Sequence, residues 1–385
     1  MLEKESFLDP ASVEKNLNPA YHLALMPELR QVVEYALTLF MESNLLAPEI
    51  GTHRIEEEVI SSVSELWNLS NGSGIITAGG TESNILALYA ARNLAKNVGK
   101  GASVILPSTA HPSFYKGCDW LGLQPVTVPV DSDFRVSPGK VQDAIRPDTI
   151  AIVATCGTFP WGTVDPIDEI GKISEERSIY FHVDGAYGGM ILPWLEQGGV
   201  VNVSKFDFRV GGVSSISTDP HKMGFSIIPD GVIIFRNHEY RELASWRGMG
   251  VSREYSPTGF LGSRPGANVA IIWALFNYLG KQGYIELTKK SMDLTSRLVK
   301  DVLNIPNLEC AAVPEINLTS IISKSVSMEK VKANLRKKGW FMYFQLDGTP
   351  MTYENTLTIG LSPRHEKMYD LLMHDLNDAA KGLSM

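Results

Sequence analysis

Apolar positions recur at helical spacing over residues 27–45 and again over 54–68, where Ile55, Val59, Val63, Leu66 and Trp67 share a face. The spacing predicts two leading helices that pack on a larger body or on a partner chain. The middle of the chain alternates. A helix at 81–97 precedes a short apolar run at 103–107, followed by helix 111–121, strand 125–130 and helix 138–146. Strand 149–155, helix 167–177 and strand 179–184 continue the series, with further strands at 213–217 and 231–236. Near-continuous apolar strands between helices predict a mostly parallel central sheet with helices on both faces. After about residue 265 the pattern changes. Helical periodicity runs over 266–304, broken by Gly280 and Gly283, and strands 318–323 and 356–361 flank a helix at 328–338. The predicted organisation is α/β: an N-terminal helical segment (1–50), a large domain (51–275) and a small α+β C-terminal domain (276–385).

Composition narrows the function classes. Hydrophobic residues form 44% of the 385 positions, enough apolar surface to bury a core, which excludes intrinsic disorder as the main state. Lys+Arg number 35 against 43 Asp+Glu, a net charge of −8 that argues against a nucleic-acid partner. With neither a polybasic segment nor ~18 uninterrupted apolar residues, no membrane partner is expected. Cys118, Cys156 and Cys310 are too few and too scattered for a disulfide framework or a zinc finger, so no metal is expected. The polar N-terminus lacks the apolar run of a signal peptide, which makes the cytoplasm the expected compartment.

Four segments carry candidate chemistry. Thr77-Ala-Gly-Gly-Thr-Glu-Ser83 follows a short apolar stretch and opens a helix, where free N–H groups favour an anion. Its spacing matches neither the dinucleotide fingerprint nor the Walker A loop. Ser108-Thr-Ala-His-Pro-Ser113 places His111 after a strand, where its ring can stack on a flat ligand. His182-Val-Asp-Gly-Ala-Tyr-Gly-Gly189 puts Asp184 at the C-terminal end of a parallel strand, where α/β folds bind ligands. Ser217-Thr-Asp-Pro-His-Lys-Met-Gly224 carries Lys222, for which partial desolvation predicts a lowered pKa and a nucleophilic amine. Alone, each has an ordinary explanation: a capped loop, a packing histidine, a turn aspartate, a solvated lysine. Together they supply an anion cradle, an imidazole, an acid and an amine on one sheet edge. Pyridoxal 5′-phosphate needs that set: a phosphate site, a ring partner, an anion for the pyridine nitrogen and a Schiff-base lysine.

On these motifs the chain resembles the fold-type I pyridoxal-phosphate enzymes, specifically the group II amino-acid decarboxylase and sphingosine-phosphate lyase superfamily. The resemblance spans roughly residues 18–380 and makes the large domain the cofactor-binding one. It implies that Lys222 bonds to the cofactor and that Asp184 holds the ring nitrogen protonated. It further implies that His111 stacks on one ring face, that Ala186 supports the other, and that Gly80, Thr81 and His221 bind the phosphate. Thr158 matches a position on the ring's oxygen side, with Ser217 and Asp219 close by. Arg264, in Gly262-Ser-Arg-Pro-Gly266, matches an arginine near the substrate's anionic group. Tyr255 resembles an active-site loop residue that delivers a proton, and Tyr21 and His22 resemble a segment that reaches a partner's site. Cys156 is read as packing.

The implied activity is that of a carbon–carbon lyase, an L-amino-acid α-decarboxylase acting on aspartate, glutamate or tyrosine. Asp219-Pro-His-Lys-Met-Gly224 with Ile228, Pro229 and Gly231 resembles the small archaeal-type decarboxylases. Phe206-Asp-Phe-Arg-Val210, Tyr255-Ser-Pro-Thr258 and Gly262-Ser-Arg-Pro-Gly266 instead resemble sphingosine-phosphate lyases, which cleave Cα–Cβ in a phosphorylated amino alcohol. The alternatives are such an aldolase-type lyase, an aminotransferase or desulfurase, and a non-catalytic pyridoxal-phosphate-binding protein. Fold-type I enzymes build their sites between subunits, so a homodimer with a shared active site is expected, taking a small amino acid or amine.

Overall fold

The computed structural model describes residues 15–18, 26–45, 52–95, 102–249, 254–255, 259–342 and 356–381. Seven strands form the main sheet: β1 (Ser73–Thr77), β2 (Ser103–Pro107), β3 (Gln124–Val128), β4 (Thr149–Thr155), β5 (Tyr180–Asp184), β6 (Val213–Thr218) and β7 (Gly231–Phe235). Their order is β1-β7-β6-β5-β4-β2-β3. β7 runs antiparallel to both of its neighbours, and the other six strands point the same way. The C-terminal ends of those six strands therefore lie on one edge of the sheet. The four segments that carry candidate chemistry follow β1, β2, β5 and β6 at that edge.

Successive strand side chains alternate between faces, and each face has its own cover. Ile75, Val104, Leu106, Val153 and Phe235 meet Leu86, Ala87, Ala90 and Phe114, which belong to helices set among α1 (Pro27–Phe40), α2 (Thr52–Leu66), α3 (Gly80–Leu94) and α4 (Pro112–Leu121). The opposite face, with Ile76, Ile105, Ile152, Phe181, Ile216 and Ile234, packs on Val33 of α1, Val59 and Val63 of α2 and Ile170. The last of these lies in the run α5 (Pro138–Ala144), α6 (Ile167–Arg177), α7 (Leu192–Gln197), α8 (His238–Leu243) and α9 (Gly266–Val302). Burial on both faces is why the strands read as unbroken apolar runs rather than as alternating ones.

The smaller sheet is antiparallel, with order β8 (Glu309–Cys310), β9 (Leu318–Ile322) and β10 (Thr356–Gly360). Ile321, Leu357 and Ile359 pack against Val331 and Leu335 of α10 (Met328–Lys337) and Leu372 and Leu376 of α11 (Tyr369–Ala380). α9 joins the two cores. Its Ile271, Leu275, Tyr284 and Ile285 lie in the first, and Leu294, Leu298 and Val302 in the second. Only Gly280 breaks this helix (φ 55°, ψ −174°), and Gly283, expected to break it too, stays helical. No helix of the described residues is long and apolar enough to cross a membrane.

Leu17 is fully buried in the smaller core, held by Leu17 N–H to the Phe341 carbonyl (2.8 Å) and Gly360 N–H to the Leu17 carbonyl (3.0 Å). Beside it, the Ser362 N–H donates to His365 Nδ1 (3.0 Å), and Nε2 lies 2.8 Å from the Asn16 carbonyl and 3.1 Å from Arg364 Nε. Burial, with help from Arg364, pushes the His365 pKa from 6.5 down to about 3. Its folded pKa is depressed, so the stabilisation is complete above the unfolded value and is lost as pH falls from 6.5 toward 3. The difference in unfolding free energy between wild type and His365→Gln is expected to shrink by about 1.4 kcal/mol per pH unit across that window. Chemical denaturation at pH 7, 6, 5 and 4 measures it.

Candidate active site

The loop after β1 turns through Gly79 at φ +110°, a conformation that side chains with a Cβ rarely adopt, and delivers the chain into α3. A Cβ on Gly80 would stand 3.1 Å from Asp219 Oδ2, and one on Gly79 would stand 3.5 Å from His221 Cε1. The glycines thus bring the first turn of α3 against the loop after β6 at backbone distance. Glu82 pins this turn: Ala78 N–H donates to Oε2 (2.7 Å) and Phe260 N–H to Oε1 (2.8 Å). Thr81 is exposed at the same helix start, where unpaired N–H groups face any anion in the cradle.

Lys222 follows β6. Its Nζ lies 2.9 Å from Asp219 Oδ2 and 4.0 Å from the centre of the Tyr187 ring, and only 14% of its side chain is exposed. Burial pulls its ammonium pKa down, but Asp219, Tyr187 and Asp184 together outweigh it, so the pKa lies above the ordinary lysine value. This corrects the expectation of a lowered pKa. Desolvation is present, but two carboxylates and a ring face surround the same atom, and attraction wins. Asp230 N–H donates to His221 Nδ1 (3.1 Å), which turns Nε2 toward Asp219 at 3.8 Å. Burial lowers the His221 pKa.

Asp184 ends β5. Its Oδ1 accepts from Ala186 N–H (3.0 Å) and its Oδ2 accepts from the Asn84 amide (3.0 Å). His111 caps α4, with Ser113 N–H donating to its Nδ1 (3.2 Å) and the Ser113 hydroxyl 2.8 Å from the same nitrogen. Burial lowers the His111 pKa, and Asp184 partly opposes the shift. Asp184, His111, Asp219 and Lys222 act electrostatically on one another and form one cluster. Ser217 is buried and donates to Asn84 Oδ1 (3.0 Å). Thr158 is fully buried, with its N–H bonded to the Thr163 carbonyl (2.7 Å). Cys156 is also buried and its thiol is pushed well up by burial, which leaves it protonated and inert.

Arg264 is paired with a carboxylate of its own. Its fork closes on Glu56, Nη1 to Oε1 at 2.6 Å and Nη2 to Oε2 at 3.2 Å, and Nη1 also donates to the Ile76 carbonyl (3.1 Å). A substrate anion reaching this arginine would have to displace Glu56. Both side chains are about nine-tenths buried (11% and 9% exposed), so removing one strands the other. Glu56→Ala is expected to lower unfolding free energy by ~3–5 kcal/mol in urea titration. Tyr255 stands in a two-residue strand paired with Gly248. Tyr21 and His22 lie outside the described residues.

Residues 47–324 match the family model described as the pyridoxal-dependent decarboxylase conserved domain. The chain belongs to the pyridoxal-dependent decarboxylase family. Among curated relatives, the probable L-tyrosine/L-aspartate decarboxylase of Methanosphaera stadtmanae is 37% identical over 310 residues, covering 80% of this chain and 79% of the relative. The L-aspartate/L-glutamate decarboxylase of Pyrococcus horikoshii is 38% identical over 309 residues, with 79% of each covered. Among solved structures, the sphingosine-1-phosphate lyase of Burkholderia pseudomallei superposes with TM-score 0.90 at 25% identity, over 99% of this chain and 90% of that one. The glutamate decarboxylase of Lactobacillus brevis gives 0.86 at 22% identity, over 99% and 91%, a likeness of fold.

The decarboxylase is a carboxy-lyase whose cofactor is pyridoxal 5′-phosphate. The residues present fit that group. The Gly79–Gly80 cradle has no side chain to fill it, and the buried Asp219 Oδ1 and Thr218 Oγ1 have no hydrogen-bond partner among the described residues. An amine and a buried carboxylate stand ready for the aldehyde and ring ends. Sequence reasoning missed Asn84, Tyr187, Glu82 and Glu56. Asn84 had a usable signal: it is one helical turn beyond Gly80 and polar on a stretch that otherwise runs Ile-Leu-Ala-Leu.

Proposed function

We propose that the chain is an α-decarboxylase of an L-amino acid, with aspartate, glutamate or tyrosine as the candidate substrates. The observation that carries this is the convergence of Lys222, Asp219, Asp184 and His111 at the sheet edge, in a chain 37–38% identical to relatives named for those activities. When bound, pyridoxal phosphate supplies an aromatic ring that accepts the electron pair released as the α-carboxylate departs. The protein's residues do the rest. Gly80, Thr81, the first-turn N–H groups and His221 hold the phosphate. Asp219 Oδ2, 2.9 Å from Lys222 Nζ, holds that amine in place at the cofactor's aldehyde end. With the cofactor bound, Asp184 would keep a proton on its ring nitrogen, His111 and Ala186 would hold the ring, and Thr158 would contact it. Tyr255 returns a proton to the substrate's α-carbon after carbon dioxide leaves, and Tyr21 and His22 contact substrate.

A homodimer with a shared site belongs to the same proposal. Trp246 (52%), Met249 (83%) and Phe260 (47%) are large apolar side chains that stand exposed. Exposed apolar side chains of this size suit burial against a second copy. Three free thiols favour a reducing compartment, which supports the cytoplasm.

The lyase likeness keeps Cα–Cβ cleavage as the competing outcome. Holoenzyme incubated with a panel of L-amino acids and, separately, a phosphorylated long-chain amino alcohol decides between them. Carbon dioxide and an amine from aspartate, glutamate or tyrosine are expected. An aldehyde with phosphoethanolamine, and no carbon dioxide, would select the lyase.

A further inference from the structure

Asn84, on α3, is 1% exposed and uses its whole hydrogen-bonding capacity. Its Nδ2 donates to Asp184 Oδ2 (3.0 Å) and to Ser113 Oγ (3.1 Å). Its Oδ1 receives Ser217 Oγ (3.0 Å) and faces His182 Nε2 (3.1 Å). An ionised carboxylate only accepts, so Asp184 fixes which end of the amide faces it. Oδ1 must then accept from a protonated His182 Nε2, which leaves His182 Nδ1 to accept from the Ser215 hydroxyl at 2.8 Å. That hydroxyl is free to donate because its oxygen already accepts from Tyr180 (2.8 Å). On the other side, Ser113 Oγ accepts from Asn84 and so turns its own proton to His111 Nδ1 (2.8 Å). Every proton along Tyr180, Ser215, His182, Asn84, Ser113 and His111 therefore has one direction.

We infer that Asn84 is a positioning residue that aims the Asp184 carboxylate and, through Ser113, holds His111 with its proton on Nε2. This rests on the roles proposed above for Asp184 and His111. A lone packing asparagine would need no such ordering. Here one amide joins the acid assigned to the ring nitrogen to the imidazole assigned to the ring face, and so couples both to the cofactor. Burial keeps His182 neutral, its pKa pushed down to about 3, so the direction does not reverse near neutral pH.

The test uses full-length protein carrying Asn84→Asp, a change of nearly equal shape that removes the donors and adds a like charge beside Asp184. Three quantities are read: the cofactor dissociation constant, the pH titration of the bound cofactor's visible band, and kcat and KM separately. Among the described residues, the titratable groups around the proposed ring position are His111, His182, Asp184, Tyr187, Asp219, His221 and Lys222. Cofactor affinity is expected to fall about tenfold or more and kcat to fall further, with KM within about threefold. The band's midpoint is expected to move by about half a pH unit or more. Wild-type affinity and an unmoved midpoint in a folded variant would overturn the inference. If Asn84→Asp does not fold, Ser113→Ala decides by the same titration: a moved midpoint supports the relay to His111, and an unmoved one overturns it. Asp184→Ala runs beside them. If it too leaves affinity and midpoint unchanged, the assignment of Asp184 has failed. If it alone changes them, only the role of Asn84 has.

Discussion

Lys222→Ala is expected to lose turnover by roughly 10³-fold or more, equivalent to at least ~4 kcal/mol of transition-state stabilisation. The lysine amine is the only side-chain nitrogen that the structure brings onto Asp219 Oδ2 at 2.9 Å and over the Tyr187 ring at 4.0 Å, among the described residues. The loop is backed by a Lys222 N–H bond to the Asp219 carbonyl (2.9 Å), which the substitution leaves in place. Asp219 loses its cation, so the variant is expected to melt earlier than wild type, and circular dichroism first establishes that it is folded. Activity is then followed as carbon dioxide release with and without added methylamine. A small amine entering the space left by the side chain restores part of the lost rate. Turnover within about tenfold of wild type would remove Lys222 from the mechanism.

Asp184→Asn is expected to cost kcat roughly 10²–10⁴-fold, because a neutral amide cannot hold a proton on the ring nitrogen with the strength of a carboxylate. The change preserves shape, and the Ala186 N–H that now meets Oδ1 keeps a partner. Cofactor is therefore expected still to bind, because the Gly80 and His221 contacts with Asp219, proposed as the phosphate end, are not altered. Steady-state rates on holoenzyme with saturating cofactor give the measurement. A kcat within about threefold of wild type would show that the acid does not tune the ring.

Much of this was legible in the chain because parallel strands buried on both faces leave long apolar runs. β2, β4 and α6 fall where the periodicity placed them, and the reactive residues fall just beyond strand ends. Other elements left weaker traces. β1 spans only Ser73–Thr77 and gained its identity from pairing with β7, more than a hundred residues on. α7 and α8 have six residues each, too short to stand without the core they pack on. α11 was missed for another reason: His374, Asp375 and Asp378 break up its apolar pattern, and Asp375 is buried with Lys338 and Trp340, which come to it from just beyond the end of α10. In the site, motif spacing pointed to Lys222, Asp184 and His111. It could not show that Asn84 lies between Asp184 and His182, or that Arg264 meets Glu56, because those contacts join residues about 100 and 208 positions apart. The raised pKa of Lys222 was equally hidden, since it depends on which charges surround one atom in space.

Covalent capture tests the central assignment most directly. Holoenzyme reduced with borohydride, digested and mapped by mass spectrometry should carry a single pyridoxyl group on the peptide containing Lys222. A pyridoxyl group on another lysine, or none on a protein that retains bound cofactor, would contradict it.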